Sequence, residues 1–424
     1  MSRQGAILKH LEFDYTEPIR DPLWNNINLS IPLMKIISTP VFQKLSRIKQ
    51  LGPSYLVYPG ATHTRLNHSL GVFHLAKRMI QRLFSFDSCM DLSLEGIKAF
   101  LCAALLHDLG HYPYAHSLKE LPLQTHEGLT VQIVMSTPVK RLIREALGTL
   151  PEMVAAIVDI TIDVKENREI LFFRNLLSGV LDPDKLDYLN RDAYFCGVPY
   201  GMQDIDFIIN RIIPWEKRGL AIQIQGLPAV ENILFSKYLM YKTVYWHRTV
   251  RIATAMIRKA VFFAINEHVI QPSDMYGLDD EEFYQRFSRY DKPPLSYVFE
   301  VFNRRLFKAL CEVPFDENNT VHCDLTDMTS RNWMETEIAK RVGKSLGQPI
   351  PGESIIIDIP EPINFEINMP IIDSDRIHAF ESSGSVFNNP IIEGFKKSLR
   401  KIRIMCPPEL SESPINLKKI IPWI

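Results

Sequence analysis

Apolar residues recur at helical spacing through most of the first 270 positions, and that pattern predicts the elements. Leu94, Ile97, Leu101, Ala104 and Leu105 mark one helical face. Val72, Leu75, Ala76, Met79 and Ile80 mark another, on a helix opened by Arg65-Leu66-Asn67-His68. His68 stands four residues before Val72, so it shares the inward side of that helix. Between residues 31 and 50, Ile36, Phe42, Leu45 and Ile48 predict two short helices, with Pro40 starting the second. Glycine and proline punctuate 50–63, which reads as a loop. Residues 126–180 read as helical with breaks at Pro138 and Pro151, and 229–268 as a further helical region. The pattern changes after about residue 300. Residues 349–353 read as a linker, 355–360 as a strand, 395–400 as helical, and 401–406 as a strand ended by Pro407-Pro408. The expected fold is mainly α with a small C-terminal α+β portion. It divides into a polar N-terminal arm at 1–30, a helical body at 31–300, and an α+β region at 301–424.

Composition adds exclusions. A hydrophobic fraction of 46% and a charged fraction of 23% are ordinary for a soluble globular protein. A net charge of −1 gives no global attraction for nucleic acid or membrane. Six cysteines are scattered without a CxxC pair, which favours reduced thiols and a cytoplasmic setting. No stretch approaches the roughly 20 apolar residues that span a bilayer, and the N-terminus has no apolar run like a signal peptide.

The candidate chemistry lies where helical patterns end. His107-Asp108-Leu109-Gly110-His111, with Pro113 and His116, puts three histidines and an aspartate within ten residues. In Asp182-Pro183-Asp184-Lys185-Leu186-Asp187-Tyr188-Leu189-Asn190-Arg191-Asp192, a helix begun near Pro183 places Asp184, Tyr188 and Arg191 on one face. Leucines within that segment make it partly buried, where charges are costly unless paired or bound to metal. His68, His107, Asp108 and Asp184 together form a nitrogen and carboxylate donor set suited to a divalent metal. Mn, Mg, Fe, Ni and Zn all fit it. Tyr238, Tyr241, Tyr245, Trp246, His247 and Arg248 could wall a ring-bearing, anionic ligand or simply pack between helices.

Taken in order, H…HD…D resembles the signature of the HD-domain metal-dependent phosphohydrolases. The likeness extends to Ile48-Lys49-Gln50-Leu51-Gly52, Tyr58-Pro59-Gly60-Ala61, His63, and Arg65 through Val72. These segments, with Asp182 through Tyr188, resemble the deoxynucleoside triphosphate triphosphohydrolases of that superfamily. With no sterile-alpha-motif domain ahead of the core, the architecture is similar to the bacterial-type members.

The resemblance implies that His68, His107, Asp108 and Asp184 hold the metal. It implies that His111, His116 and His126 line the phosphates and move protons. Arg65 and Lys185 match phosphate-binding cations. Tyr188 and Asp192 match residues at the sugar, Gln50 and Leu51 a pair that disfavours a 2′-hydroxyl, and Tyr245 and His247 a third wall. The implied reaction splits a deoxynucleoside triphosphate into deoxynucleoside and tripolyphosphate. The implied partners are the dNTP, an allosteric nucleotide and further copies of the chain, as tetramer or dimer.

Three departures qualify the match. Lys119-Glu120 stands where relatives place an acid paired to the catalytic histidine, and Glu120 is the candidate replacement. Ser38 stands where relatives with a guanine-reading activator site carry an acid. Lys44 and Ser46 replace arginines of that region. Two rival readings follow. One is another HD-type nucleotide phosphatase or phosphodiesterase. The other is a nucleotide- or nucleic-acid-binding regulator, kept open by the basic run at Lys396, Lys397, Arg400, Lys401 and Arg403.

Overall fold

The computed structural model describes residues 3–86, 92–215, 219–367, 369–374, 376–413 and 420–421, and the side chains of these residues from Gln4 onward. Its centre is the Leu94–Leu106 helix, which is apolar nearly all round and buried nearly all round. Ser93 starts it, its side chain accepting the N–H of Gly96. The helices Arg65–Leu83, Pro151–Val158 and Arg168–Leu177 pack against it, with Phe100 stacked on Phe173 at 4.9 Å between ring centres. Pro183–Cys196 packs against Arg65–Leu83. Its first turn is set by Asp182, whose side chain accepts the N–H of Lys185, with Pro183 in the first helical turn, where a missing N–H costs nothing.

The sequence and the structure differ in places that share one cause. The N-terminal segment, read as a polar arm with one short strand or turn, carries an Arg3–Phe13 helix and an antiparallel hairpin of Glu17–Asp21 with Asn25–Leu29. Ile7, Leu11, Ile27 and Leu29 from these elements are buried in the main core. Alternation over five residues is too short a signal to read against polar neighbours. Residues 126–180 are less continuous than expected: residues 159–167 are turn, bend and coil, while the break expected at Pro151 is present at 148–150, just before the helix that Pro151 starts. The 229–268 region splits into Leu227–Met240 and Arg248–Asn266 around a wide turn at Tyr241–Tyr245.

In the C-terminal part, Lys401–Cys406 is the central strand between Lys308–Pro314 and Ile356–Asp358, both antiparallel to it. The 19-residue helix Met328–Leu346 packs near this sheet and was not anticipated. The helix expected at 395–400 starts earlier, at Asn389, behind an Asn388 side chain that accepts the N–H of Ile391. A second sheet joins Ile212–Trp215, Gly219–Gln223, Pro370–Asp373 and Arg376–Ala379, and so ties residues 219–223 to 370–373 in parallel. The cysteines among the described residues, Cys102, Cys196, Cys311, Cys323 and Cys406, are unpaired, as expected. Among these residues no helix is long and apolar enough to cross a membrane.

Candidate active site

Three helix ends converge on one place. His68 lies in the first turn of Arg65–Leu83, His107 caps the C-terminus of Leu94–Leu106, and Asp184 lies in the first turn of Pro183–Cys196. One ligand atom from each lies within 4.8 Å of the other two. His68 Nε2 is 2.9 Å from Asp184 Oδ1, and His107 Nε2 is 3.8 Å from the same oxygen. Asp108 approaches from the loop, 4.0 Å from His68 Nε2 and 3.5 Å from His107 Nε2. The tautomers suit ligation. His107 Nδ1 donates to the carbonyl of Ala104 at 2.9 Å, leaving Nε2 buried without a hydrogen-bond partner. His68 Nδ1 donates to Asp187 at 2.9 Å and turns Nε2 inward. Burial disfavours the charged form of His68, but Asp184 and Asp187 outweigh it and raise the pKa to about 10. Asp184 beside Nε2 and Asp187 beside Nδ1 surround the ring with negative charge, a setting that a metal cation at Nε2 would neutralise in place of a proton. The donor chemistry, the orphaned nitrogen and the spacing all fit a divalent ion.

These four candidate ligands line a cavity of about 500 Å³. Gln50, Leu51, Arg65, His68, His107, Asp108, His116, His126, Asp184, Tyr188, Asp192 and Tyr245 all line it. Arg65 Nη1 donates to Asp108 Oδ2 at 2.5 Å. Burial opposes the charge of Asp108, but His111, Arg65 and His107 outweigh it and hold the carboxyl well below its usual range. Away from the ligands, Asp192 accepts from Tyr245 Oη at 2.7 Å and contacts His63 Nε2 at 2.8 Å. Gln50 Oε1 is buried and has no partner among the described residues.

Three expected residues stand off this wall. His111 is fully buried, with Nε2 3.0 Å from Asp108 Oδ1 and its ring stacked on His126 at 3.9 Å. Burial and the nearby Arg65 charge push its pKa well down. Lys185 is held by Asp182 at 2.6 Å and Glu366 at 2.7 Å, and His247 caps the Arg248–Asn266 helix. Arg191, expected to share the face of Asp184 and Tyr188, instead turns into the core toward Asp187 and Asp21.

Other expectations are corrected. Glu120 does not serve a histidine: its carboxylate pairs with Arg331 at 2.9 Å and Arg258 at 3.3 Å. The acid beside His126 is Glu127, at 3.2 Å. Lys44 points inward to the carbonyl of His111 at 3.0 Å, and burial lowers its pKa to about 8. Within the basic run, Arg400 donates to the carbonyl of Pro360 and Arg403 is buried beside Glu312 and Asp358. Sequence reasoning passed over the cavity walls made by Arg251, Arg258 and the 361–363 segment. Nothing local marks them, because distant chain segments bring them there.

A helical protein with a His/Asp cluster at a cavity is thus the class that fold and site define. Comparison with known proteins specifies it. Residues 65–169 match the HD domain and residues 204–412 match the HD associated region. The uncharacterized protein YwfO of Bacillus subtilis is 30% identical over 394 residues, covering 87% of this chain and 85% of that protein. The human deoxynucleoside triphosphate triphosphohydrolase SAMHD1 is 33% identical over 221 residues, 45% of this chain and 35% of that protein. The crystal structure of a phosphohydrolase from Bacteroides thetaiotaomicron superposes with a TM-score of 0.72 at 25% identity, covering 92% of this chain and 99% of that one. The chain belongs to the HD-domain phosphohydrolase family.

Proposed function

We propose that the chain hydrolyses deoxynucleoside triphosphates to deoxynucleoside and tripolyphosphate. The observation that carries this reading is one cavity lined both by the His68, His107, Asp108 and Asp184 cluster and by the Asp192–Tyr245 pair with Gln50 and Leu51. A divalent ion held by His68, His107, Asp108 and Asp184 would supply Lewis acidity toward a phosphoryl oxygen and an attacking water. Arg65 supplies fixed positive charge beside Asp108, where phosphate charge accumulates. His116, open to the cavity, and His126 are placed to pass a proton to the leaving alkoxide. His111, buried behind the wall, sits 3.0 Å from Asp108 Oδ1. Asp192, already fixed by two donors, retains lone pairs for a sugar 3′-hydroxyl. Leu51 beside the sugar leaves a 2′-hydroxyl poorly solvated.

An oligomeric state, tetramer or dimer, and a cytoplasmic setting belong to the same proposal. So does an anionic effector nucleotide. A second cavity of about 400 Å³ lined by Arg248, Arg304 and Lys308 has the charge for one. Incubation with each dNTP and Mn or Mg, with products resolved by ion-exchange chromatography, tests the reaction. Tripolyphosphate with free deoxynucleoside is expected. Orthophosphate or nucleoside monophosphate as first product favours the rival phosphatase or phosphodiesterase reading, and no turnover favours the regulator.

A further inference from the structure

The carboxylate of Asp187 is buried, and four donors converge on its two oxygens. Oδ1 accepts from Trp24 Nε1 at 2.5 Å and from Arg191 Nη2 at 2.9 Å. Oδ2 accepts from His68 Nδ1 at 2.9 Å and from Arg191 Nε at 2.8 Å. Its lone pairs are fully used, so the carboxylate has one orientation. Arg191 is in turn fixed by Asp21, Nη1 to Oδ2 at 2.8 Å. Asp21 also shapes the hairpin turn, its Oδ1 accepting the N–H groups of Leu23 and Trp24 at 2.9 Å each. One turn therefore delivers both outer supports: the Asp21 carboxylate to Arg191, and the Trp24 indole to Asp187. The helix carrying His68 makes room for this. A Cβ on Gly71 would fall 1.8 Å from Asp187 Oδ1 and 2.5 Å from Arg191 Nη2.

We propose that Trp24, acting through Asp187, is a positioning residue for His68, so that the N-terminal hairpin helps set the affinity of the site for a divalent metal. The physical ground is that a histidine ligand binds best when its second nitrogen donates to a fixed carboxylate. Loss of such outer partners costs about 10–100-fold in metal affinity. Without the indole N–H, Oδ1 loses one of its two donors, and the Asp187 carboxylate can rock about the Arg191 fork. The Nδ1 proton of His68 then has a less well placed acceptor. The inference rests on the metal-site reading given above.

The test is Mn²⁺ binding to the full chain, measured by isothermal titration calorimetry alongside the melting temperature of the metal-free protein. Trp24→Phe keeps the aromatic packing on His74 and removes only the donor. It is expected to weaken Mn²⁺ binding about tenfold, while Asn26→Ala, in the same hairpin but exposed, leaves it unchanged. In an Asp187→Asn background, Trp24→Phe should add nothing further. Unchanged Mn²⁺ affinity in a folded Trp24→Phe protein overturns the proposal. If that variant does not fold, Trp24→Leu, which also removes the indole donor and keeps an apolar side chain, is read the same way, and unchanged affinity there overturns the proposal equally. His68→Ala separates the two levels. If it leaves Mn²⁺ binding intact, the metal-site reading itself fails. If it abolishes binding while Trp24→Phe does not weaken it, only the role of the hairpin fails.

Discussion

Asp187 and Asp358 are both fully buried carboxylates gripped by arginines, each one residue removed from the cavity wall, and they do different work. Asp187 receives Arg191, Trp24 and a histidine that faces the metal-ligand cluster. Asp358, on the Ile356–Asp358 strand, receives Arg251 through both oxygens, at 2.5 and 2.8 Å, and Arg258 at 2.8 Å, with Arg403 3.8 Å away. In both, burial opposes the charge, and the facing arginines more than offset it and hold the carboxyl below its usual range. What separates them is the remaining partner. An imidazole turns a fixed carboxylate into control over a ligand atom. With arginines alone, the carboxylate holds a helix of the cavity wall against the C-terminal sheet. Burial and arginine pairing by themselves therefore do not mark a catalytic neighbourhood.

The comparison can be broken most directly at its catalytic side. Asp108→Asn should lower turnover by on the order of 10³-fold, assayed with dATP and Mn, and near-normal turnover would remove the site assignment. Asparagine is the informative substitution because Asp108→Ala would leave the buried Arg65 without its partner and destabilise the fold as well.

At the structural side, Asp358→Ala strands Arg251 and Arg258 and should cost about 3–5 kcal/mol of stability, read as a lower denaturation midpoint. Asp358 also makes an acid-unfolding prediction. Its native pKa lies below the unfolded value of about 3.9, so its contribution is fully present above that pH and is lost as the pH falls toward the native pKa. Asp358→Asn should flatten the stability profile below about pH 4. An unchanged slope there would show that the network is not charged as described.

A smaller effect is expected at the sugar. Deoxyribonucleotides should be preferred over ribonucleotides by about 1–3 kcal/mol, which equal kcat/KM for dATP and ATP would refute. Least of all should depend on guanine. Ser38 is exposed, its hydroxyl donates to the carbonyl of Met34 at 2.8 Å, and Lys44 is turned inward. The Ser38 hydroxyl is one small acceptor, where a carboxylate would accept both donors of a guanine edge. Turnover of dATP should be the same with and without GTP, and strict GTP dependence would show that guanine is read elsewhere.

Much of this was legible in the chain itself. Helical periodicity marks the Leu94–Leu106 and Arg65–Leu83 helices, because a helix buried on one face must repeat its apolar residues at that period. The candidate ligand cluster was legible because His68, His107, Asp108 and Asp184 sit at helix ends whose signals are local: Thr64, Asp182 and Pro183 before two of the helices, and the His-Asp-Leu-Gly run after the third. Tertiary structure decided which charged residues face the cavity. Lys185, read as a phosphate cation, is taken by Glu366 from 181 positions away, and Glu120 by Arg331 from 211 away. Trp24 reaches Asp187 across 163 residues. A charged side chain goes to whatever partner satisfies it at lowest desolvation cost. Local sequence carries the backbone's preferences, but the partner of a buried charge is set only when distant segments pack.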